Sequence, residues 1–202
     1  NTYMLPNAHP NLEKRLEQLI TAVKLVYAST YLKAPRSYAK STMHRTEDEE
    51  MAVVLQQLMG RAHKNYFYPS ISGVAQSYNF YPIAHLKAEE GVTYIALGLG
   101  KIVMEGGRTL RFCPKYPQFL PQFSILSDIL ENSQKYFYAL KLDEFPGNEK
   151  SISSSSEDLT LGKLDLSDAT DHPVVRFLSS TFHAQDNRIR DSYSNKGFPV
   201  LT

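Results

Sequence analysis

Apolar side chains recur three and four residues apart near the start of the chain, at Leu12, Leu16, Leu19, Ile20, Val23, Val26, Tyr27 and Tyr31. That spacing lines one face of a helix. The spacing predicts a helix over residues 11–34, with Asn11 as cap, Glu13 in the first turn and Pro35 disturbing or ending it. A second short helix is expected from residue 35 to about 43. Residues 44–50 (HRTEDEE) read as a charged, solvated connector. Eight apolar side chains at about 1.5–3 kcal/mol each favour burial, so the helix is expected to pack on a sheet.

The period then shortens. Residues 51–59 (MAVVLQQLM) are few, β-branched at the centre and followed by Gly60, which reads as a strand. Residues 72–80 (SGVAQSYNF) alternate, with Val74, Gln76, Tyr78 and Phe80 on one face of a second strand. Residues 93–97 (TYIAL) form a third. Glycines crowd the chain at Gly98, Gly100, Gly106 and Gly107. A short strand is expected at 109–113, an extended stretch around Pro114, Pro117 and Pro121, a helix over 127–133 capped by Ser127, and a strand over 136–142. Residues 146–158 (PGNEKSISSSSED) have the composition of a mobile loop. Residues 159–166 alternate like an exposed strand, 172–182 suit a helix with Pro173 at its first position, and 198–201 read as a final strand. Helices and strands mix without strict alternation, which predicts an α+β fold rather than a doubly wound sheet.

Composition narrows the function. The 202 residues suffice for one full domain, or one large domain with an appendage, on the ~150-residue prior. Lys and Arg number 22 against 21 Asp and Glu, without the basic excess that bulk phosphate neutralisation requires, so nucleic acid is not an expected partner. The longest apolar-leaning stretch, 92–100, falls far short of the ~20 residues of a membrane helix, and no basic-then-apolar leader opens the chain. A soluble, cytoplasmic protein is expected. A single cysteine, Cys113, leaves no internal disulfide or thiolate-rich zinc site. There is no Trp, but there are 13 Tyr and 10 Phe, many of them in clusters such as 66–68, 78–81 and 136–138, where sheet core or sheet edge is the simplest role. A base-stacking platform would interleave them with Arg and Lys.

Few constellations carry chemistry. Residues 96–107 (ALGLGKIVMEGG) fail the phosphate-loop motif, because Ile102 follows Lys101 and Ile95 replaces its first glycine. They fail the dinucleotide fingerprint at Val103. What remains is a strand feeding a Gly-x-Gly turn whose amides can approach phosphate, with Lys101 close by. A tight turn needing positive φ explains the same spacing. No two histidines stand four apart, so no zinc site is expected. Cys113 reads as a small half-buried residue, and the run Glu47, Asp48, Glu49, Glu50 as a solvated connector. Arg188 and Arg190 share one side if extended; they could grip phosphate or pair with Asp186 and Asp191. No acid/base or nucleophile set emerges, so no catalytic residue is assigned.

Four segments in order nevertheless resemble one family. Residues 23–38 (VKLVYASTYLKAPRSY) are similar to "waSlf…raiaYR", 51–59 to "avvVQkMV", 72–75 (SGVA) to "SGVmFt", and 96–106 to "GLGE.VV.G". This is the pattern of the nucleotide-binding domain of phosphoenolpyruvate synthase and pyruvate phosphate dikinase, an ATP-grasp-like fold. The agreement spans roughly residues 20–115. The resemblance implies a partial domain with a core over about 11–145, a flexible loop at 146–158 and a branch-specific remainder over 159–202. It implies that backbone around Gln56, Gln57, Leu58 and Met59 forms a hinge meeting adenine, and that Gly98, Gly100 and Lys101 lie at the nucleotide cleft. ATP and Mg²⁺ are then the expected cofactors of a longer parent protein, whose remaining domains are the expected partners. That parent would phosphorylate a histidine on a swivelling domain, which hands the phosphoryl group to an acceptor such as pyruvate. Lys101 departs from the pattern by replacing an acidic residue. The upstream arginine-bearing "RSS" segment and the downstream metal carboxylate with its "QaRP" are absent, so this piece is expected to bind ATP weakly and transfer nothing. Residues 181–184 (TFHA) echo the phosphocarrier "T-x-H-A", but Ser179 and Ser180 precede them where glycines belong, so His183 reads as a helix-end residue. A non-catalytic interaction or regulatory domain that keeps the fold is the alternative.

Overall fold

The computed structural model describes residues 2–41, 51–143, 160–169, 173–190 and 197–201. In chain order its elements are α1 (Leu12–Ser29), α2 (Lys33–Ser41), β1 (Arg61–His63), β2 (Tyr66–Tyr68), β3 (Ser72–Gln76), β4 (Val92–Ala96), α3 (Lys101–Met104), β5 (Leu110–Phe112), α4 (Leu126–Asn132), β6 (Tyr136–Lys141), β7 (Leu161–Asp165), α5 (Pro173–Leu178), β8 (Ser179–His183), β9 (Arg188–Arg190) and β10 (Phe198–Leu201). Helices mix with antiparallel sheets, which is the expected α+β class. The chain divides into two compact units: Asn1–Met59, Lys64–Phe67 and Leu140–Gly162 form one, and Gly60–His63, Tyr68–Ala139 and Lys163–Thr202 the other.

In the first unit, Asn11 caps α1 as expected: its Oδ1 accepts from the Glu13 amide at 2.8 Å. That bond satisfies one of the orphan donors of the first turn. The helix ends at Ser29 rather than near residue 34. Thr30 caps it, with its amide turned back to the carbonyls of Ala28 and Tyr27. Pro35 does not end α1; it sits in the first turn of α2, where a missing amide hydrogen costs nothing. Leu12, Leu16, Ile20 and Tyr27 are exposed, and Ala22 and Ser29 are the buried residues of α1. The expected burial of the whole apolar row is therefore corrected. Residues 66–67 of β2 pair with β6 in the register Tyr66↔Lys141 and Phe67↔Leu140.

The expected strand at 51–59 is absent. The segment is irregular, with Val54, Leu55 and Met59 exposed. β-Propensity measures fit to a pleated, half-buried surface, and without a ladder partner the β-branched centre has no such surface to fit.

The second unit contains two three-stranded antiparallel sheets, ordered β3-β4-β5 and β10-β8-β9. Ser72↔Ala96 through Gln76↔Val92 fix the first register, and Thr93↔Phe112 through Ile95↔Leu110 add the third strand. β3 stops at Gln76 instead of Phe80. Asn79 breaks it: its side-chain oxygen accepts from the Tyr81 amide at 3.1 Å, an Asx turn that competes with the ladder. Phe80 and Tyr81 are consequently exposed, not stacked along a strand face. Ser127 lies inside α4 rather than capping it, because the helix starts at Leu126 with Ile125 before it and no side-chain cap.

The expected helix over 172–182 is half right. α5 ends at Leu178, and Ser179–His183 form the middle strand of the second sheet, paired with β10 and β9. Ser179, Ser180 and Thr181 are buried there. Backbone pairing on both edges outweighs the helical continuation, and His183 is a strand-end residue opposite Arg188, not a helix end. The core of this unit gathers Phe137 and Ala139 from β6, Val92 and Ala96 from β4, Leu97, Leu99, Ile102 and Cys113. Cys113 is fully buried instead of half-buried. The acidic run 47–50 and the serine-rich segment 146–158 lie outside the described residues.

Candidate functional site

The glycine turn follows β4 directly. The Leu97 amide donates to Gln134 Oε1 at 2.9 Å, and Gln134 Nε2 donates to Leu97 O at 3.0 Å and Tyr136 O at 2.9 Å. Gln134 is buried, so one amide side chain satisfies both backbone groups of Leu97 in a water-poor place. The Leu99 amide then donates to Tyr138 O at 2.8 Å. The turn is thus stitched to β6 on either side of Gly98.

The two glycines differ. Gly98 has φ 84, and a Cβ there would stand 2.8 Å from both Phe137 Cδ2 and Tyr138 O. Both the left-handed backbone and the packing demand glycine. Gly100 has φ −62 and ψ −4, ordinary helical angles, and a Cβ there would meet only Ser72 Cβ and Oγ at 3.8 Å. Neither conformation nor crowding within the described protein requires glycine at 100. Beside Gly100, Ser72 Oγ is buried and has no hydrogen-bond partner among the described residues.

Lys101 follows. Its Nζ lies 3.6 Å from Glu105 Oε1 and 5.5 Å from the Tyr138 ring centroid, and the Tyr138 hydroxyl donates to Glu105 Oε2 at 3.2 Å. The positive charge that departs from the family pattern is offset by a carboxylate one helical turn later. Burial, with the nearby Glu105 charge second, pushes the Tyr138 phenol above its ordinary range; burial does the same to Tyr68. A raised phenol holds its proton longer in the folded state, so this stability is present below about pH 10 and is lost as pH rises through the folded value. Urea midpoints should be flat in mildly basic solution and fall above about pH 10. Tyr138→Phe should reduce that alkaline slope.

Gln56, Gln57, Leu58 and Met59 belong to the first unit; Gly98, Gly100 and Lys101 belong to the second. Gln56, Gln57 and Met59 are exposed and Leu58 is half-buried. Among the described residues no backbone hydrogen bond engages 56–59. Ser72, Gln134, Glu105 and Tyr138 were not singled out from sequence. Ser72 stood inside a strand pattern, and Gln134 acts on a residue 37 positions away, which no local pattern reveals.

The remaining candidates have structural explanations. Arg190 Nη2 lies 3.1 Å from Asp186 Oδ2, the pairing alternative rather than an open phosphate grip. Asn11 N donates to His9 Nδ1 at 3.0 Å, and His85 packs its ring on Tyr116 and Phe119. His44, His172 and Asp191 lie outside the described residues. Among the described residues no three His, Cys, Asp or Glu side chains could hold a metal ion, and no helix is long and apolar enough to cross a membrane. A family model described as pyruvate phosphate dikinase, AMP/ATP-binding domain, matches residues 10–161. No curated protein and no solved structure matches the chain.

Proposed function

Because the chain belongs to the pyruvate phosphate dikinase AMP/ATP-binding domain family, we propose that it binds ATP with the Leu97–Lys101 turn against the phosphate chain. The observation that carries this reading is Gly100. Its glycine has no internal reason: a Cβ there would make only ordinary contact, 3.8 Å from Ser72 Cβ and Oγ, and the Ser72 hydroxyl beside it is unpartnered among the described residues. A glycine without its own steric reason is what close backbone approach of a phosphate needs, and a hydroxyl donor there would relieve a buried group costing about 1–3 kcal/mol unpaired. Lys101 contributes positive charge. Separately, the family resemblance supports backbone around Gln56, Gln57, Leu58 and Met59 as the proposed hinge that meets adenine. This reading carries with it an ATP-grasp-like architecture, a cytoplasmic setting and a parent protein whose other domains complete a phosphotransferase acting on a histidine.

Magnesium does not fit these residues. Glu105 is the carboxylate beside the turn, and it is engaged by Lys101 and Tyr138. Phosphoryl transfer rests on carboxylate-held metal and on cations placed around the phosphates. The chain itself is therefore proposed to bind nucleotide with a Kd on the order of 1 mM and to transfer nothing. The Lys101–Glu105 pairing also favours a second reading, a binding module that keeps the nucleotide site without the chemistry. Incubation with γ-labelled ATP and Mg²⁺ should leave the protein unlabelled.

Two substitutions separate binding from stability. Gly100→Ala should leave stability unchanged or raise it by about 0.4–1 kcal/mol, since alanine adopts φ −62 freely. Ser72→Ala removes an unpaired hydroxyl and should be neutral or stabilising. Each should weaken ATP binding by about five- to ten-fold in calorimetric titration. Unchanged affinity in both variants would remove the turn from the nucleotide site.

A further inference from the structure

A second feature of the same unit lies at the other end of β4 from the glycine turn. β4 runs over five residues from Val92 to Ala96, roughly 14 Å between its ends at about 3.4 Å per step. At its Val92 end a cavity of about 330 Å³ opens between the 79–86 segment, β5 and the 119–122 segment. That volume is within the ~300–1,000 Å³ usual for small-molecule sites.

Its walls are mostly apolar, from Ile83, Leu86, Val92 and Phe119, and no carboxylate lines it among the described residues. Three polar side chains line it, Asn79, Arg111 and Gln122, the last with its Nε2 donating to Thr109 O at 3.3 Å. Arg111 Nη2 donates to Tyr81 O at 2.9 Å and to Asn79 Oδ1 at 3.2 Å. Its Nη1 and Nε donate to no described residue, and the guanidinium stands 5.8 Å from the Tyr94 ring centroid. Asn79 is 3% exposed. Its oxygen accepts from both the Tyr81 amide and Arg111, which fixes the amide orientation by two donors. Its Nδ2 takes part in neither of these two bonds. The Asn79 side chain and a half-buried guanidinium with spare donors thus both line this mostly apolar chamber.

We infer that this cavity is a binding site for a small monocarboxylate with an apolar body. The single guanidinium matches one negative charge, and its planar fork suits a carboxylate. The Asn79 Nδ2 supplies a further donor to the same group, and the aliphatic and aromatic walls take the hydrocarbon. The site is distinct from the glycine turn and does not depend on nucleotide binding.

Octanoate and octanol, titrated calorimetrically into the intact chain, test it. Octanoate should bind about ten-fold or more tighter than octanol, the difference being the charge-assisted bonds. Arg111→Gln should bring octanoate down to the octanol level. Ile83→Trp fills the cavity from a partly exposed position while keeping the Arg111 charge, and should weaken both ligands. It keeps the test decisive if Arg111→Gln fails to fold. Saturating ATP should leave octanoate binding unchanged. Equal affinities for octanoate and octanol, undiminished octanoate binding in Ile83→Trp, or displacement by ATP would each overturn the assignment.

Discussion

Gly98→Ala is expected to destabilise the second unit by about 2–5 kcal/mol. The left-handed conformation costs a non-glycine residue about 1–2 kcal/mol, and overpacking against well-packed neighbours adds about 1–3 kcal/mol. Both apply, since φ is 84 and the added carbon meets Phe137 and the Tyr138 carbonyl at 2.8 Å. Phe137 is wholly buried at the centre of the core, so it has no room to retreat. The contacted carbonyl receives the Leu99 amide, and pushing it away would loosen the turn itself. Against a total of about 5–15 kcal/mol, such a loss brings the unit near its unfolding threshold. Urea unfolding followed by circular dichroism reads the loss directly. The contrast with Gly100→Ala, two residues on, is the sharper check: one alanine should cripple the fold and the other should not.

The second large effect is expected at Gln134. Gln134→Leu preserves size and burial while deleting the acceptor for the Leu97 amide and the donor shared by Leu97 O and Tyr136 O. An unsatisfied buried backbone group costs about 1–3 kcal/mol, and two at Leu97 give a loss of about 2–6 kcal/mol. Hydrogen exchange should localise the damage, with the Leu97 amide losing protection before the β3–β4 ladder does. A variant that keeps Leu97 protected would mean that another group replaces Gln134.

What the sequence revealed, and what it hid, follows from the range of the interactions. α1 was legible because its cap and its apolar period are local, and Asn11 performs the expected bond. β4 and β6 were legible because aromatic and β-branched residues fill buried central strands. The strand expected at 51–59 had equally good local propensity, but it lacks a partner, and partners are not written locally. β8 was hidden for the opposite reason. Ser179, Ser180 and Thr181 look like the polar end of a helix, and only pairing on both sides makes them interior. Within the turn, the sequence pointed to both glycines alike; the structure separates Gly98, which the fold requires, from Gly100, which it does not. Gln134 and the Ser72 hydroxyl become visible only in three dimensions.

Amide nitrogen–proton spectra recorded during an ATP titration test the nucleotide site most directly. The turn model predicts progressive, saturable shifts of the Ser72, Leu97, Gly98, Leu99, Gly100 and Lys101 amides, with a midpoint on the order of 1 mM, and their attenuation in Gly100→Ala. Saturable shifts that leave these amides unmoved, or spectra that do not respond to ATP at all, would contradict it.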